Sequence, residues 1–549
     1  MLYREIFRVL GSYLYIFSLV LFVPLLVAIY YQFIAAPEAH PQPHSTLAFL
    51  QTVIICCGLG AVFRQLGRRA TGELYRREGL FLVVIIWFIS AAIGGLPFYL
   101  SGTLKSPVDA YFEAMSGLTT TGATVMHPKD FTDDDDQEEI PIYRLIRGPY
   151  QTDYTYAGTI DPVRDSESGL IIYSGVEAVS KGVLFWRSFM QWLGGMGIVV
   201  LFIAILPALG VGGKVLFQAE VPGPTKDAVT PRIQETAGLL WKLYLGLSVI
   251  EVVLLMVTNP AIDWFEAVTM TFSNLSTGGF SVRNASVGSF ESPATEWVVI
   301  IFMVVGSINF ALYFYCLKRQ FYRLVDPEFI IYIVALLIAS VFVSWNLIGE
   351  QIALLTGEMI ECDVSTAFRQ GFFHLISAQT STGFATSDFD QWHPGNQVVM
   401  LTVMYIGSMA GSTGGGIKII RHYMLYKIVK NKIEQIFRPD TVRAVRVGNK
   451  EISSSVGLTV LSYYMIVIIL SSAGVFFLVL DGMDPETALA VNACMINNIG
   501  MAFRVAGPTE SFAFLSIFGK ILSTLWMVLG RLEFFAVLVV LAPAFWKKN

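Results

Sequence analysis

Ten stretches of this chain are apolar for long enough to cross a bilayer, and that leaves few folds open. Crossing a hydrocarbon core about 30 Å thick takes roughly 20 apolar residues in a helix. Such stretches lie near residues 11–34, 46–63, 79–101, 184–209, 236–258, 295–317, 327–348, 397–429, 455–480 and 512–546. In lipid every backbone N–H and C=O has to be bonded within the chain, and runs of this length do so as helices. The expected fold is therefore an all-α integral membrane protein with ten transmembrane helices. Composition agrees, with 54% hydrophobic and 14% charged residues and a mean hydropathy of +0.60, where soluble domains carry about 25% charged residues. No small-residue cleavage pattern follows the first stretch, so it reads as a span rather than a signal peptide. A net charge of -5 and a pI near 5.8 argue against nucleic acid as a partner. Among five cysteines, Cys56 and Cys57 are adjacent while Cys316, Cys362 and Cys494 stand alone, which offers neither a CxxC metal site nor a redox pair.

Basic residues beside the spans set the orientation. Arg64, Arg68, Arg69, Arg76 and Arg77 fall between spans two and three, and Lys318, Arg319 and Arg323 between six and seven. Nine more run from Lys418 to Lys450, and Lys547 and Lys548 end the chain. These segments are expected in the cytoplasm, with both termini. The connections near 35–45, 102–183, 259–294, 349–396 and 481–511 are poorer in basic residues and face outward.

Four of the outward connections share a layout: a short amphipathic segment, then a Thr/Ser/Asn-Gly cluster. They read PVDAYFEAMSGLTTTGATV, IDWFEAVTMTFSNLSTGGFSV, VSTAFRQGFFHLISAQTSTGFATSDF and PETALAVNACMINNIGMAF. Aligned on Gly122, Gly278, Gly383 and Gly500, they recur at spacings of 156, 105 and 117 residues (278−122, 383−278, 500−383), as duplicated units rather than solenoid repeats do. The implied organisation is two N-terminal helices in 1–78, repeat 1 in 79–234 with an extracellular insert at 127–181, repeat 2 in 235–325, repeat 3 in 326–450 and repeat 4 in 451–549. Each repeat is span, half-length helix, glycine turn, span, and the four together predict pseudo-fourfold symmetry.

A half-helix of about 11 residues covers only some 16 Å, so it re-enters instead of crossing. Irregular backbone at that depth is tolerated only where it lines a cavity. Glycine at each turn allows backbone angles closed to other residues and puts no side chain on the axis. Four such turns offer rings of carbonyl oxygens that replace the water shell of a potassium-sized cation, and the carbonyl ends of the half-helices add negative potential. One cluster alone suits close helix packing equally well; four in equivalent places point to a pore. Span eight is itself interrupted by GSMAGSTGGGIK, residues 407–418. A phosphate-binding loop needs Gly-Lys followed by Ser/Thr, and here Ile417 separates Gly416 from Lys418.

With these motifs the chain resembles the Trk/Ktr/HKT superfamily of potassium transporters, nearest the TrkH branch with its two extra N-terminal helices. SGLTTTGATV, NLSTGGFS, STGFAT, NNIG, QWLGGMGIVVL, GSTGGGIKIIR and LGRLEFF carry the likeness over nearly the whole chain. The resemblance implies a selectivity filter of Thr120, Thr121, Gly122; Ser276, Thr277, Gly278; Ser381, Thr382, Gly383; and Asn498, Ile499, Gly500. Glycine at 122, where sodium-preferring relatives carry Ser, implies potassium. It further implies a gate beneath the filter, made of Gly407, Gly411, Ser412, Thr413, Gly414, Gly415 and Gly416 with Arg531, a simple glycine kink being the other reading of the loop. Potassium is then the transported ion, with no organic cofactor. A homodimer in a bacterial cytoplasmic membrane, regulated by a cytosolic TrkA-type nucleotide-binding ring, completes the implied picture. The basic run from Lys418 to Lys450 would suit that ring or anionic lipid. The fourth turn departs from the pattern, lacking the Thr/Ser pair and a second glycine.

Arg531 lies 11 residues past Lys520 and 15 before Trp546, near mid-bilayer if those two mark the interfaces. An Arg at that depth has to face a cavity or a partner. It would either repel a cation leaving the filter or hydrogen-bond loop carbonyls. Glu533 sits roughly 200° around a helix from it and is not expected to pair with it. The 127–181 insert departs from the family's pattern; its 12 acidic against 5 basic residues suit either an acidic funnel or a solvated accessory hairpin, and DDDD lacks the ligand spacing of a calcium loop. His374 is expected to pack and hydrogen-bond rather than bind metal. Two alternatives stay open: obligatory coupling to sodium or protons, for which Glu251 and Glu533 are the few buried carboxylates, and a membrane-embedded hydrolase, for which six scattered histidines supply no constellation.

Overall fold

The structure, a computed structural model, describes residues 1–35, 42–70, 74–132, 139–146, 152–165, 168–197, 233–438, 446–447, 450–451 and 454–547. Helix α1 (Tyr3–Ile29) runs on through a wider turn to Ile34 and packs along α2 (Thr46–Leu66). A Cβ at Gly11 would come within 2.9 Å of the Gly60 carbonyl oxygen, so the two backbones meet because neither residue has a side chain.

A three-helix unit then recurs four times. Its first helix is long: α3 (Arg76–Leu100), α6 (Ile233–Thr258), α10 (Pro327–Leu347) and α14 (Ser454–Leu480). Its second is short: α4 (Pro107–Leu118), α7 (Trp264–Leu275), α11 (Val364–Gln379) and α15 (Pro485–Asn497). Each short helix starts on a side-chain cap, from Ser106, Asp263, Asp363 or Asp484, which satisfies an orphan N–H of the first turn. These helices are enclosed, with Phe112, Phe265, Phe373 and Val491 exposed by 2% or less. The long helices instead turn apolar residues outward, as with Leu245, Val249, Ile250, Val253 and Val257 on α6.

The third helix of each unit stops early: α5 (Lys181–Gly195), α8 (Pro293–Ser307), α12 (Pro394–Ile406) and α16 (Ile517–Arg531). At 13 to 15 residues these reach only about 20 Å. The sequence predicts an interruption at 407–418 alone, so the continuous spans read at 295–317 and 512–546 are corrected. The chain bends by 96° between α8 and α9 (Phe310–Leu317), where Asn309 takes the N–H of Ala311 and starts a new helix. Between α16 and α17 (Phe535–Leu541) Glu533 and Phe534 both hold positive φ, 57° and 59°. After 407–418 the chain resumes as α13 (Ile419–Phe437). The later part of the span read at 184–209, from residue 198, lies outside the described residues. Among the described residues six helices are long and apolar enough to cross, or seven with α8 and α9 taken as one span.

The insert includes a hairpin, Ile142–Ile146 against Thr152–Tyr156, which docks on repeat 4. Ile142 and Tyr156 pack with Ala513. The Tyr154 hydroxyl donates to Asp484 Oδ1 (2.6 Å) and accepts from the Asp484 N–H (2.9 Å). Arg144 and Tyr156 both donate to Glu510. The segment is thus an accessory hairpin; the DDDD run at 133–136 lies outside the described residues.

Candidate functional site: four turns and the loop beneath them

All four short helices end in the same turn. Thr120, Thr277, Ser381 and Asn498 take left-handed φ of 53°, 53°, 59° and 54°. The next N–H bonds back five residues: Thr121 to Ser116, Gly278 to Ser273, Thr382 to Ser377 and Ile499 to Cys494, at 2.8–3.1 Å. This is the closing bond of a helix that ends on a left-handed residue. That residue is ordinarily glycine, and here it never is. Two positions after it comes a glycine at positive φ: Gly122 (81°), Gly279 (77°), Gly383 (90°) and Gly500 (83°).

The second turn is therefore one residue out of the register read from sequence. Gly279, not Gly278, corresponds to Gly122, Gly383 and Gly500, and the triplet is Thr277, Gly278, Gly279, with Ser276 one place before it. Burial says the same, since the four matching glycines are partly accessible while Gly278 is buried against the Gln191 side chain.

The turns close into a ring. A Cβ on Gly122 would overlap the carbonyl oxygen of Gly278, on Gly279 that of Thr382, and on Gly383 that of Ile499; on Gly500 it would come to 2.5 Å from that of Thr121. Each carbonyl belongs to the residue just before the next repeat's glycine, and the fourth contact returns to repeat 1. The side chains of Thr120, Thr121, Ser276, Thr277, Thr382, Asn498 and Ile499 are fully buried, and Ser381 is nearly so. Behind the ring Gln191 donates to Gly278 O (2.7 Å) and accepts from Phe280 N (3.1 Å).

The 407–418 loop runs directly against this ring. Thr413 donates to Gly306 O (2.8 Å) and Leu275 O (3.0 Å) in repeat 2. Gly415 N–H donates to Ser381 Oγ (2.8 Å) in repeat 3. A Cβ on Gly415 would lie 2.6 Å from the Asn498 Cβ, and one on Gly416 3.2 Å from Asn497 O, both in repeat 4. Arg531 reaches repeat 1: its guanidinium donates to Gly194 O (2.5 Å), Gly195 O (2.8 Å), Thr120 Oγ1 (3.1 Å) and, in the loop, Thr413 O (2.7 Å). Gly407 and Gly411 hold positive φ of 65° and 73° at the loop's turns, Ser412 bonds Met409 O (2.7 Å), and Lys418 bonds Gly414 O. Glu328 on α10 pins the loop by accepting from Ala410 N–H (2.7 Å).

Several of these positions carry no signal in the sequence. Glu328 belongs to no local motif, and Gln191 and Lys418, though they lie inside QWLGGMGIVVL and GSTGGGIKIIR, have nothing in those stretches that assigns them these contacts. Glu533 pairs with Arg421 (2.5 Å); it lies beyond the last residue of α16 at a positive φ, so the helical angle from Arg531 does not describe its position. His374 is fully buried, with Nδ1 at 2.9 Å from Gln370 O and Nε2 accepting from Thr386 and Ser387 N–H, a hydrogen-bonding role as expected.

Residues 164–548 match the TrkH family, described as cation transport protein. The chain is 31% identical to the Trk system potassium uptake protein TrkH of Salmonella typhimurium, covering 100% of both. It is 30% identical to the Trk system potassium uptake protein TrkG of Escherichia coli, covering 99% of both. The chain belongs to the TrkH family. A TrkH structure, that of the potassium transporter from Vibrio parahaemolyticus, matches it with a TM-score of 0.77 at 29% identity over 100% of each chain. Membership in this family of cation transport proteins removes the hydrolase alternative.

Proposed function

We propose that this TrkH-family chain takes up potassium across a bacterial cytoplasmic membrane through the ring of four turns, and that the 407–416 loop with Arg531 closes the path beneath it. The closed succession of glycine-to-carbonyl contacts, repeat 1 to 2 to 3 to 4 and back, carries this reading. Carbonyls at Thr121, Gly278, Thr382 and Ile499 stand one residue before the accessible glycines, where they can take the place of a cation's water shell. The short helices end at the same ring, so their carbonyl ends favour a cation there. The filter is Thr120, Thr121, Gly122; Thr277, Gly278, Gly279; Ser381, Thr382, Gly383; and Asn498, Ile499, Gly500. The names of the relatives support potassium as the ion.

The loop's contacts with three repeats, and Arg531's bridge to the fourth, support a closed gate, with a fixed positive charge below the ring. Inward movement would draw on the membrane potential, worth about 2.3 kcal/mol per charge per 100 mV. The interrupted third helices complete ten crossings, with both termini cytoplasmic. A homodimer regulated by a TrkA-type ring on the Lys418–Lys450 side belongs to the same reading.

Coupled transport is favoured by one observation. Glu251 on α6 is fully buried; one oxygen accepts from Asn274 (2.6 Å) and the other has no hydrogen-bond partner among the described residues. The experiment is a reversal-potential measurement on purified protein in liposomes under opposed potassium, sodium and pH gradients. Reversal that follows potassium alone is expected; a requirement for a second ion makes it a symporter, and reversal indifferent to potassium removes the proposal.

A further inference from the structure

Behind the first two turns lies an ion pair that neither the filter nor the gate uses. Glu113 sits on α4, seven residues before Thr120, and Arg187 sits on α5; their side chains are 0% and 3% exposed and meet at 2.6 Å. Glu113 is fully engaged: Oε1 takes the Arg187 Nε–H, both oxygens take the Thr124 hydroxyl (3.0 and 3.1 Å), and Oε2 takes the Val125 N–H (3.0 Å). Arg187 reaches into repeat 2, donating to Ser281 O (2.7 Å) and covering the Phe280 ring at 3.6 Å. Thr124 and Val125 follow Gly122 by two and three residues, and Phe280 and Ser281 follow Gly279 by one and two. The pair therefore ties together the two strands that leave the first two glycines.

The equivalent places in the other repeats, again seven before the left-handed residue, are Met270, His374 and Val491. His374 performs the repeat 3 version with a neutral ring, taking the N–H groups of Thr386 and Ser387, while Gln370 takes the Thr386 hydroxyl (2.6 Å). Repeats 2 and 4 have apolar side chains there, so repeat 2 relies on Arg187 and Gln191 from α5. The ring is symmetric in backbone and uneven in what fixes it.

We propose that Glu113 and Arg187 are positioning residues for ion selectivity, joining repeats 1 and 2 so that the Thr121 and Gly278 carbonyls keep the spacing a potassium ion requires. The inference rests on the proposed pore. Losing one partner leaves an uncompensated buried charge, whereas replacing both removes the charge with the tie.

The test is the potassium-to-sodium permeability ratio, from bi-ionic reversal potentials of full-length protein in liposomes, for wild type, E113Q, R187K, T124V and the double variant E113Q/R187Q. A ratio is independent of how much protein folds, so a merely structural role lowers flux and leaves it unmoved. The ratio is expected to fall by about tenfold in E113Q, which leaves the Arg187 charge uncompensated. It is expected to fall by less in R187K, which keeps the charge but loses the guanidinium's reach to Ser281 O, and in T124V, which deletes one hydroxyl, and to recover in part in the double variant. If the single variants do not assemble, T124V and the double variant still decide. Unchanged ratios in every assembled variant would overturn the proposal. Absence of potassium preference in the wild type would instead defeat the pore reading beneath it.

Discussion

At the scale of single residues the decisive position is Gly279. A Cβ there meets a neighbouring backbone oxygen, Thr382 O, at a φ of 77°; neither can yield, and the dihedral alone costs about 1–3 kcal/mol. At Gly278 the Cβ meets the end of the Gln191 side chain, which can retreat. G279A is therefore expected to abolish selective potassium uptake, with G278A retaining a measurable share, in uptake assays normalised to membrane-inserted protein. Equal loss in both would count for a register centred on Gly278. The one-residue slip arises because Ser276-Thr277-Gly278-Gly279 offers two glycines. The residues downstream settle the choice, since Gly279-Phe280-Ser281-Val282 parallels Gly122-Ala123-Thr124-Val125. Arg531 was legible as an intramembrane cation, but its four acceptors come from three distant segments that no local pattern joins. R531Q removes the charge and weakens the tie to Thr413; at 4 Å and an effective dielectric near 20 that charge opposes a cation by about 4 kcal/mol. The variant is expected to raise basal potassium flux tenfold or more, read by flux into liposomes without any regulatory partner.

At the scale of elements, the long and short helices were readable because length and apolarity fix them. The breaks at Ile308–Asn309 and Leu532–Phe534 were not, since neither contains glycine or proline and a single polar residue in each, Asn309 or Glu533, does not end an otherwise apolar run. They arise from what the helix ends must reach: Arg531 is the last residue of α16, its backbone turning away just as its side chain meets the carbonyls of α5. The hairpin of the insert was legible as an accessory element, but not its seat on the Asp484 cap. His127 lies buried beside that seat, 4.0 Å from Glu510. Burial, opposed by Glu510 and assisted by Arg144, lowers its pKa from 6.5. A base whose folded pKa is depressed keeps its full contribution above the unfolded value and loses it as pH falls below about 6.5. Amide exchange in residues 142–156, corrected for intrinsic rates, is expected to quicken from pH 7.5 to 5.5. In H127Q that difference should vanish; its persistence would take His127 out of the account.

Over the whole molecule, fourfold symmetry governs the ring and fails at the loop. The turns were visible in sequence because each repeats one pattern, while the loop occurs once and meets groups from repeats 2, 3 and 4, with Arg531 linking it to repeat 1, so no repeat predicts it. Thr413 joins the two levels: its hydroxyl holds repeat 2 and its carbonyl holds Arg531. If 407–416 opens as one body, releasing either attachment frees the whole. T413V and R531Q should each raise basal potassium flux, and the double variant should exceed the larger single effect by little. Attachments that act separately would instead add their free energies, so that the flux increases multiply. A double-mutant cycle on liposome flux, each value scaled to the number of reconstituted proteins, distinguishes these cases. Multiplied increases would mean that the Thr413 side chain and Arg531 restrain different motions, and the loop would then be a hinge with two independent stops.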